Sequence, residues 1–508
     1  MQPDPDPQPI KNRSLYLVYG ITLGLAVTLA LLAIVFQNQA IPPAVPQVGA
    51  FTQTAAPTQN ITPVESTSTS TPLPAVPPTP NEQTPSALGV TSSELRGLTV
   101  TIWHPWTGTE GLALQALLDE FNRTNRWGIT VNSSAYHGFG PLDEAVEAGL
   151  SSGEYPDIVV DYGYQARHWD NQDALVDLFP YVDDPVWGLT SDEKADFLPE
   201  FWAEDLVTEG FSADARRLGI PYYRSAYLLF YNQAWARQLG FSDPPESLEG
   251  LRLRACAAAE SVASQEDKSN LGKGGLLLTS QPGSMVGWVY AFGGEITTPE
   301  AYGYQFSTPE ARAAFEYLKD LQRGGCAWFD AEAGEADELA NRRALLAVGS
   351  LLDIPAQQKA FNQASNTDEW TVIPFPSQEE PVVEAYGPSI MIMRSNPASQ
   401  LAAWLVTEWL VYPPNQAVWV QALGTYPTRT NTLNYLNGVG KTSPQWTQAL
   451  ELLPTARSEP SLASWSMVRW ALADAMGKLF DPQLEAEQIP TLLEQLDSIA
   501  AELVSQVR

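Results

Sequence analysis

The chain is poor in the side chains that hold metals: among 508 residues there are 3 His and 2 Cys. That excludes a multi-ligand zinc cage, an iron–sulfur cluster and a disulfide-dense miniprotein. His104, His137 and His168 lack paired-ligand spacing, so no metal site is expected. Positive charge is also scarce. Lys and Arg number 28 against 59 Asp and Glu, a net charge of −31. So acidic a surface repels a phosphate backbone, and no nucleic-acid partner is expected. Enzyme signatures are missing too. Ser284, between Gly283 and Gly287, is misplaced for a nucleophile elbow. Gly272-Lys273 and the two glycines after it lack both the spacing and the hydroxyl of a phosphate-binding loop. No catalytic residue and no cofactor are expected. What the chain does have is bulk: 10 % aromatic residues, 16 of them Trp, and a length suited to two or three folded units.

The N-terminal end reads as an export device. Residues 1–14 form a short polar tail carrying Lys11 and Arg13, and Leu15 to Phe36 then runs without a charge. That is long enough to cross a bilayer as a helix, and the basic residues before it place the tail in the cytoplasm. A cleaved signal sequence remains open, with a weak processing site at Asn38-Gln39-Ala40. Either way the rest of the chain lies outside the cell, and the uncleaved form is held at the cell membrane by one span. Residues 37–94, rich in Pro, Thr and Ser, bury too little to offset their ordering entropy and read as a disordered linker.

From Leu95 onward strand and helix signals alternate. Leu98 to Trp103 is a β-branched run, and Leu114, Leu117, Leu118 and Phe121 then recur at helical spacing. Pro156 to Val160 is a second buried strand. The alternation predicts an α/β fold whose ligand sits beyond the carboxyl ends of the strands. The loops there hold Trp103, His104, Trp106 and Glu110, then Asp161, Tyr162 and Tyr164.

Several segments, in order, resemble family 1 extracellular solute-binding proteins, the sugar-capturing components of ABC importers. Leu98 to Val131 is similar to the family's opening strand–helix–strand. Gly153 to Leu178, with Pro156-Asp157-Ile158, resembles its second strand. Gly219 to Gly240, with Pro221 and Tyr231-Asn232, resembles its crossover, and Pro244-Pro245 follows. Trp288 to Cys326, Glu369 to Pro376 and Tyr386 to Pro427 resemble the later motifs. Glu246 to Glu249 departs from the pattern usual after the proline pair, and Leu351 replaces an aromatic after Gly349-Ser350.

The resemblance implies a two-lobed periplasmic-binding-protein-like fold of type II, closing about a hinge. One lobe would span 95–218 and 382–430, the other 228–377 and 431–508. It implies a monomeric receptor that captures a sugar or oligosaccharide between the lobes and hands it to a membrane permease. A sugar site needs aromatic platforms and hydrogen-bonding side chains. The candidates are Trp106, Glu110, Asp161, Tyr162, Tyr223, Trp288, Tyr386 and Trp465. The rival is an anchored sensing module of the same fold. A secreted glycosidase would need a carboxylate pair flanking the cleft, which no motif identifies. Cys256 and Cys326, outside the membrane, are expected to form a disulfide.

Overall fold

The computed structural model describes residues 74–77, 86–208, 215–265, 272–298, 302–330, 335–377, 380–436 and 443–507, all within one unit, Ser68–Arg508. The tail, the apolar run Leu15–Phe36 and most of the linker lie outside the described residues. Among the described residues no helix is long and apolar enough to cross a membrane.

The strands in chain order are β1 Thr99–His104, β2 Thr130–Ala135, β3 Ile158–Asp161, β4 Leu206–Thr208, β5 Ala215–Arg217, β6 Ile220–Pro221 and β7 Ser225–Tyr231. Then come β8 Gly274–Leu278, β9 Ala327–Phe329, β10 Ala344–Ser350, β11 Thr371–Ile373, β12 Val383–Tyr386, β13 Ser389–Ile392 and β14 Ala456–Ser458. They build two large sheets. The first has the order β2-β1-β3-β13-β6 and the second the order β14-β12-β7-β10-β8-β9, with β11 also on β7; β4 and β5 form a small pair.

In the first lobe β1 pairs in parallel with β2 and β3. Asp157 locks β3 to β1 by accepting the Thr101 amide and hydroxyl at 2.8 and 2.9 Å. Helix Gly108–Thr124 buries Leu114, Leu117, Leu118 and Phe121, the stripe its spacing predicts. Helices Pro397–Val411 and Pro413–Leu423 complete the layer, and Trp404, Trp409 and Trp419 sit in the same core. In the second lobe the apolar strands β7, β8 and β10 are buried almost throughout, as strands covered on both faces are. Helix Leu248–Ala263 carries Cys256, which is bonded to Cys326 just before β9, with the Cα atoms 4.3 Å apart.

Three chain crossings join the lobes: Tyr222–Arg224 between β6 and β7, Gly387–Pro388 between β12 and β13, and the segment around Tyr426. Arg224, buried, ties them together. Its backbone bridges Tyr426, and its guanidinium donates to the carbonyls of Tyr223 and Pro388 and to Glu204. A side chain at Gly387 would meet the Tyr223 carbonyl oxygen at 2.5 Å, so only glycine lets the first two crossings touch. The boundary expected at 382 is corrected to this glycine. Glu384, Ala385 and Tyr386 pair with Tyr227, Ala226 and Ser225, which puts β12 in the second sheet.

The folded body also begins earlier than Leu95. Ser86 and the Ala87 amide bond to Asp184, and Val90 is buried in the first-lobe core. Farther upstream, Ala75 makes two hydrogen bonds to the side chain of Asn415.

Candidate functional site

The space between the two sheets is walled by tyrosines from both lobes. On the first-lobe side the chain leaves β3 at Asp161 and starts helix Gly163–Asp170, leaving Tyr162 at the helix N-cap. Its ring lies 4.5 Å from Phe139 and 5.1 Å from Tyr164, nearly parallel to the latter. On the second-lobe side Tyr227 and Tyr386 stack at 5.0 Å. The Tyr386 hydroxyl hydrogen-bonds Ser350 at 2.7 Å, and Ser350 hydrogen-bonds Ser225 at 3.0 Å, so the ring is fixed from behind. Gln281 accepts from the Tyr227 hydroxyl at 3.4 Å. Tyr162, Tyr227 and Tyr386 all keep part of their surface accessible.

Arg469, on the inner face of helix Trp465–Leu479, sits among these rings. Its guanidinium carbon is 5.8 and 5.7 Å from the centres of Tyr162 and Tyr164, and it donates to the Tyr164 hydroxyl at 2.7 Å. Glu459 lies 4.0 Å from it.

Burial, and then the neighbouring phenols, raise Tyr162 well above the usual tyrosine range, so its hydroxyl stays a neutral donor. Tyr162, Tyr223 and Tyr386 are close enough that the phenols of Tyr223 and Tyr386 act on Tyr162. Glu110 faces Tyr223 and is itself raised by burial. Burial also brings Asp143 up to about 6 and, with the Asp143 charge beside it, pushes Asp161 well up. Asp161 accepts the Tyr162 amide at 2.7 Å. Burial likewise raises Glu204 to about 6, though Arg224 and Ser458 oppose it.

The sequence candidates therefore divide. Tyr162 and Tyr386 keep accessible surface in the interlobe space, with Glu110 half-buried near them, whereas Tyr223 is buried against Trp106 and Trp419. Asp161 is buried and shapes the turn carrying Tyr162. Trp106, Trp288 and Trp465 are corrected to packing residues, since none offers a free face. Trp106 lies under the crossings, 4.7 Å from Trp419 and within 6.0 Å of Tyr222 and Tyr223. Trp288 is fully buried against Phe375. Trp465 is fully buried beside Tyr304 and donates to Glu459. Sequence reading placed Tyr164 in the loop after β3 without giving it a role, and missed Tyr227 and Arg469. Tyr227 stands inside an apolar strand, and Arg469 follows Trp465 by one helical turn, so helix spacing alone could have flagged it. Among the described residues no group of three or more His, Cys, Asp and Glu could hold a metal ion.

The model of a family described as bacterial extracellular solute-binding protein matches residues 116–455, two-thirds of the chain. No curated protein matches. Among solved structures, the sugar-binding protein MalE from Xanthomonas citri is similar with a TM-score of 0.68 at 17 % identity, covering 80 % of this chain and 98 % of its own. The cyclic alpha-maltosyl-1,6-maltose binding protein from Arthrobacter globiformis is similar with a TM-score of 0.66 at 20 % identity, covering 80 % and 99 %. UgpB from Mycobacterium tuberculosis, solved with glycerophosphocholine, is similar with a TM-score of 0.63 at 17 % identity, covering 80 % and 98 %. These likenesses show a shared two-lobed α/β fold.

Proposed function

Because the chain belongs to the family of bacterial extracellular solute-binding proteins, we propose that it is the solute receptor of an ABC importer. It captures a sugar or oligosaccharide between its lobes and delivers it to a membrane permease. The observation that carries this reading is the meeting of tyrosines from both lobes, Tyr162 with Tyr164 and Tyr227 with Tyr386, around polar groups. Pyranose rings have flat C–H faces and a rim of hydroxyls. Tyrosine rings match the faces, and Arg469, Gln281 and Glu110 match the rim. Contacts to both lobes favour the closed form, which makes binding and closure one equilibrium. In this reading Leu15–Phe36 directs export or anchors the chain, and an anchored receptor gains effective concentration near its permease. Two of the relatives above are named for sugars, which supports the class of solute without naming one.

The test is a thermal-shift screen of the full chain against mono- and oligosaccharides, polyols, polyamines and amino acids. A solute at 100 times its dissociation constant adds about 2.7 kcal/mol. A shift confined to saccharides is expected. A shift only with amino acids or polyamines would replace the solute class, and silence across the panel would sink the reading.

A further inference from the structure

Helix Gly163–Asp170 belongs to the first lobe but has two working faces. One packs at home: Ala166 and Trp169 are buried in a first-lobe cluster, and the Trp169 indole donates to Glu147 at 2.9 Å. The other carries Tyr164, Arg167 and, just past the helix end, Asn171. That spacing, i, i+3 and i+7, puts all three on one side. Each reaches the second lobe. Tyr164 accepts from Arg469 at 2.7 Å, and its ring is buried within the second lobe's own hydrophobic cluster. Arg167 donates to the Ser461 hydroxyl at 3.2 Å, and Asn171 donates to the Val507 carbonyl at 3.3 Å.

Resting on the receptor reading, we propose that this helix is the closing latch of the protein, and that Tyr164 is a positioning residue for solute capture that acts through Arg469. None of the three bonds needs a solute, so the closed form has its own stabilisation and the solute adds to it. Apparent affinity scales with the fraction of the chain already competent to bind. Weakening the latch therefore lowers affinity by the factor it removes from the closed population. Because Tyr162 immediately precedes the helix, seating the latch also sets the cleft ring beside it.

The test measures closure without any solute. Donor and acceptor dyes are placed on Glu144→Cys and Glu494→Cys, exposed positions in the first and second lobes; the native cysteines are already bonded to each other. The full chain is unfolded and refolded first, to strip any solute carried through purification. Tyr164→Phe removes only the hydroxyl and keeps the ring; Tyr164→Phe/Ser461→Ala removes two of the three bonds. The expected result is a dominant short-distance population in the parent chain. In the double variant the closed-to-open ratio falls about tenfold or more, which is ~1.4 kcal/mol, while the melting midpoint falls by no more than ~2 °C. A parent chain that stands open without solute, or a ratio indifferent to both substitutions, would overturn the latch. If saccharides still bind in that case, the receptor reading survives alone. If the latch behaves as described and no saccharide binds, the solute assignment fails instead.

Discussion

Replacing Glu384 by Gln should stabilise the protein, and increasingly so as pH rises. Glu384 is fully buried and neither carboxylate oxygen has a hydrogen-bond partner. Burial raises its pKa well above the ordinary glutamate value of 4.5. Glu459 and Glu204 push the same way, and Arg469 opposes them. The folded chain thus holds this proton more tightly than the unfolded chain. The stability it contributes is complete below 4.5 and is lost as pH climbs toward the folded value. Within that window the loss is about 1.4 kcal/mol per pH unit, so pH 4.5 to 6.5 spans up to about 2.7 kcal/mol. Gln keeps the shape without the proton, so the variant should match the parent near pH 4.5 and exceed it above. With about 2.1 cal/mol/K of unfolding entropy per residue, that difference is ~3 °C if roughly 400 residues melt together, and ~6 °C if the second lobe melts alone. Calorimetry of both chains across this range decides. A difference that stays flat with pH, or a variant less stable at pH 7, would refute the argument that Glu384 is buried without a partner.

Gly283→Ala should cost saccharide affinity about tenfold or more, read by calorimetric titration, because the new Cβ would stand 2.4 Å from the Tyr227 ring and force the Tyr227–Tyr386 stack apart. Arg224→Met should lower stability by about 3 kcal/mol in denaturant unfolding, since it takes the charged partner from the half-buried Glu204 carboxylate and leaves it only the Ser458 hydroxyl. Trp465→Ala should cost about 3–5 kcal/mol as a core truncation, where an exposed platform would have cost affinity with little stability. Cys256→Ser/Cys326→Ser should cost ~4 kcal/mol by loop entropy, given a sequence separation of 70; unchanged unfolding would mean the link adds nothing.

The α/β fold and the strand ends that bear Tyr162 could be read from periodicity, because β1, β3 and helix Gly108–Thr124 each announce their buried face locally. The tryptophans could not be placed that way. Trp288 sits in a helix buried on every side, so no polar face marks which way it points. Trp465 and Arg469 share one face of one helix, yet the first goes to the core and the second to the cleft. That division depends on Tyr164, 305 residues away from Arg469 in sequence. Long-range pairing also decided the fate of β12, whose alternating strand Val383–Tyr386 fits either sheet until Tyr227 is opposite it.

The first and last described segments stand in unequal relation to the two lobes. Ala75 is clasped by Asn415, and Ser86 by Asp184, both on the first lobe, so the first described residues are tied to that lobe alone. Val507 lies at the rim, where its carbonyl meets Asn171 from the opposite jaw. A purification tag or fluorescent protein added after Arg508 would act as a wedge in the bite, and affinities measured on such a fusion would understate those of the native chain.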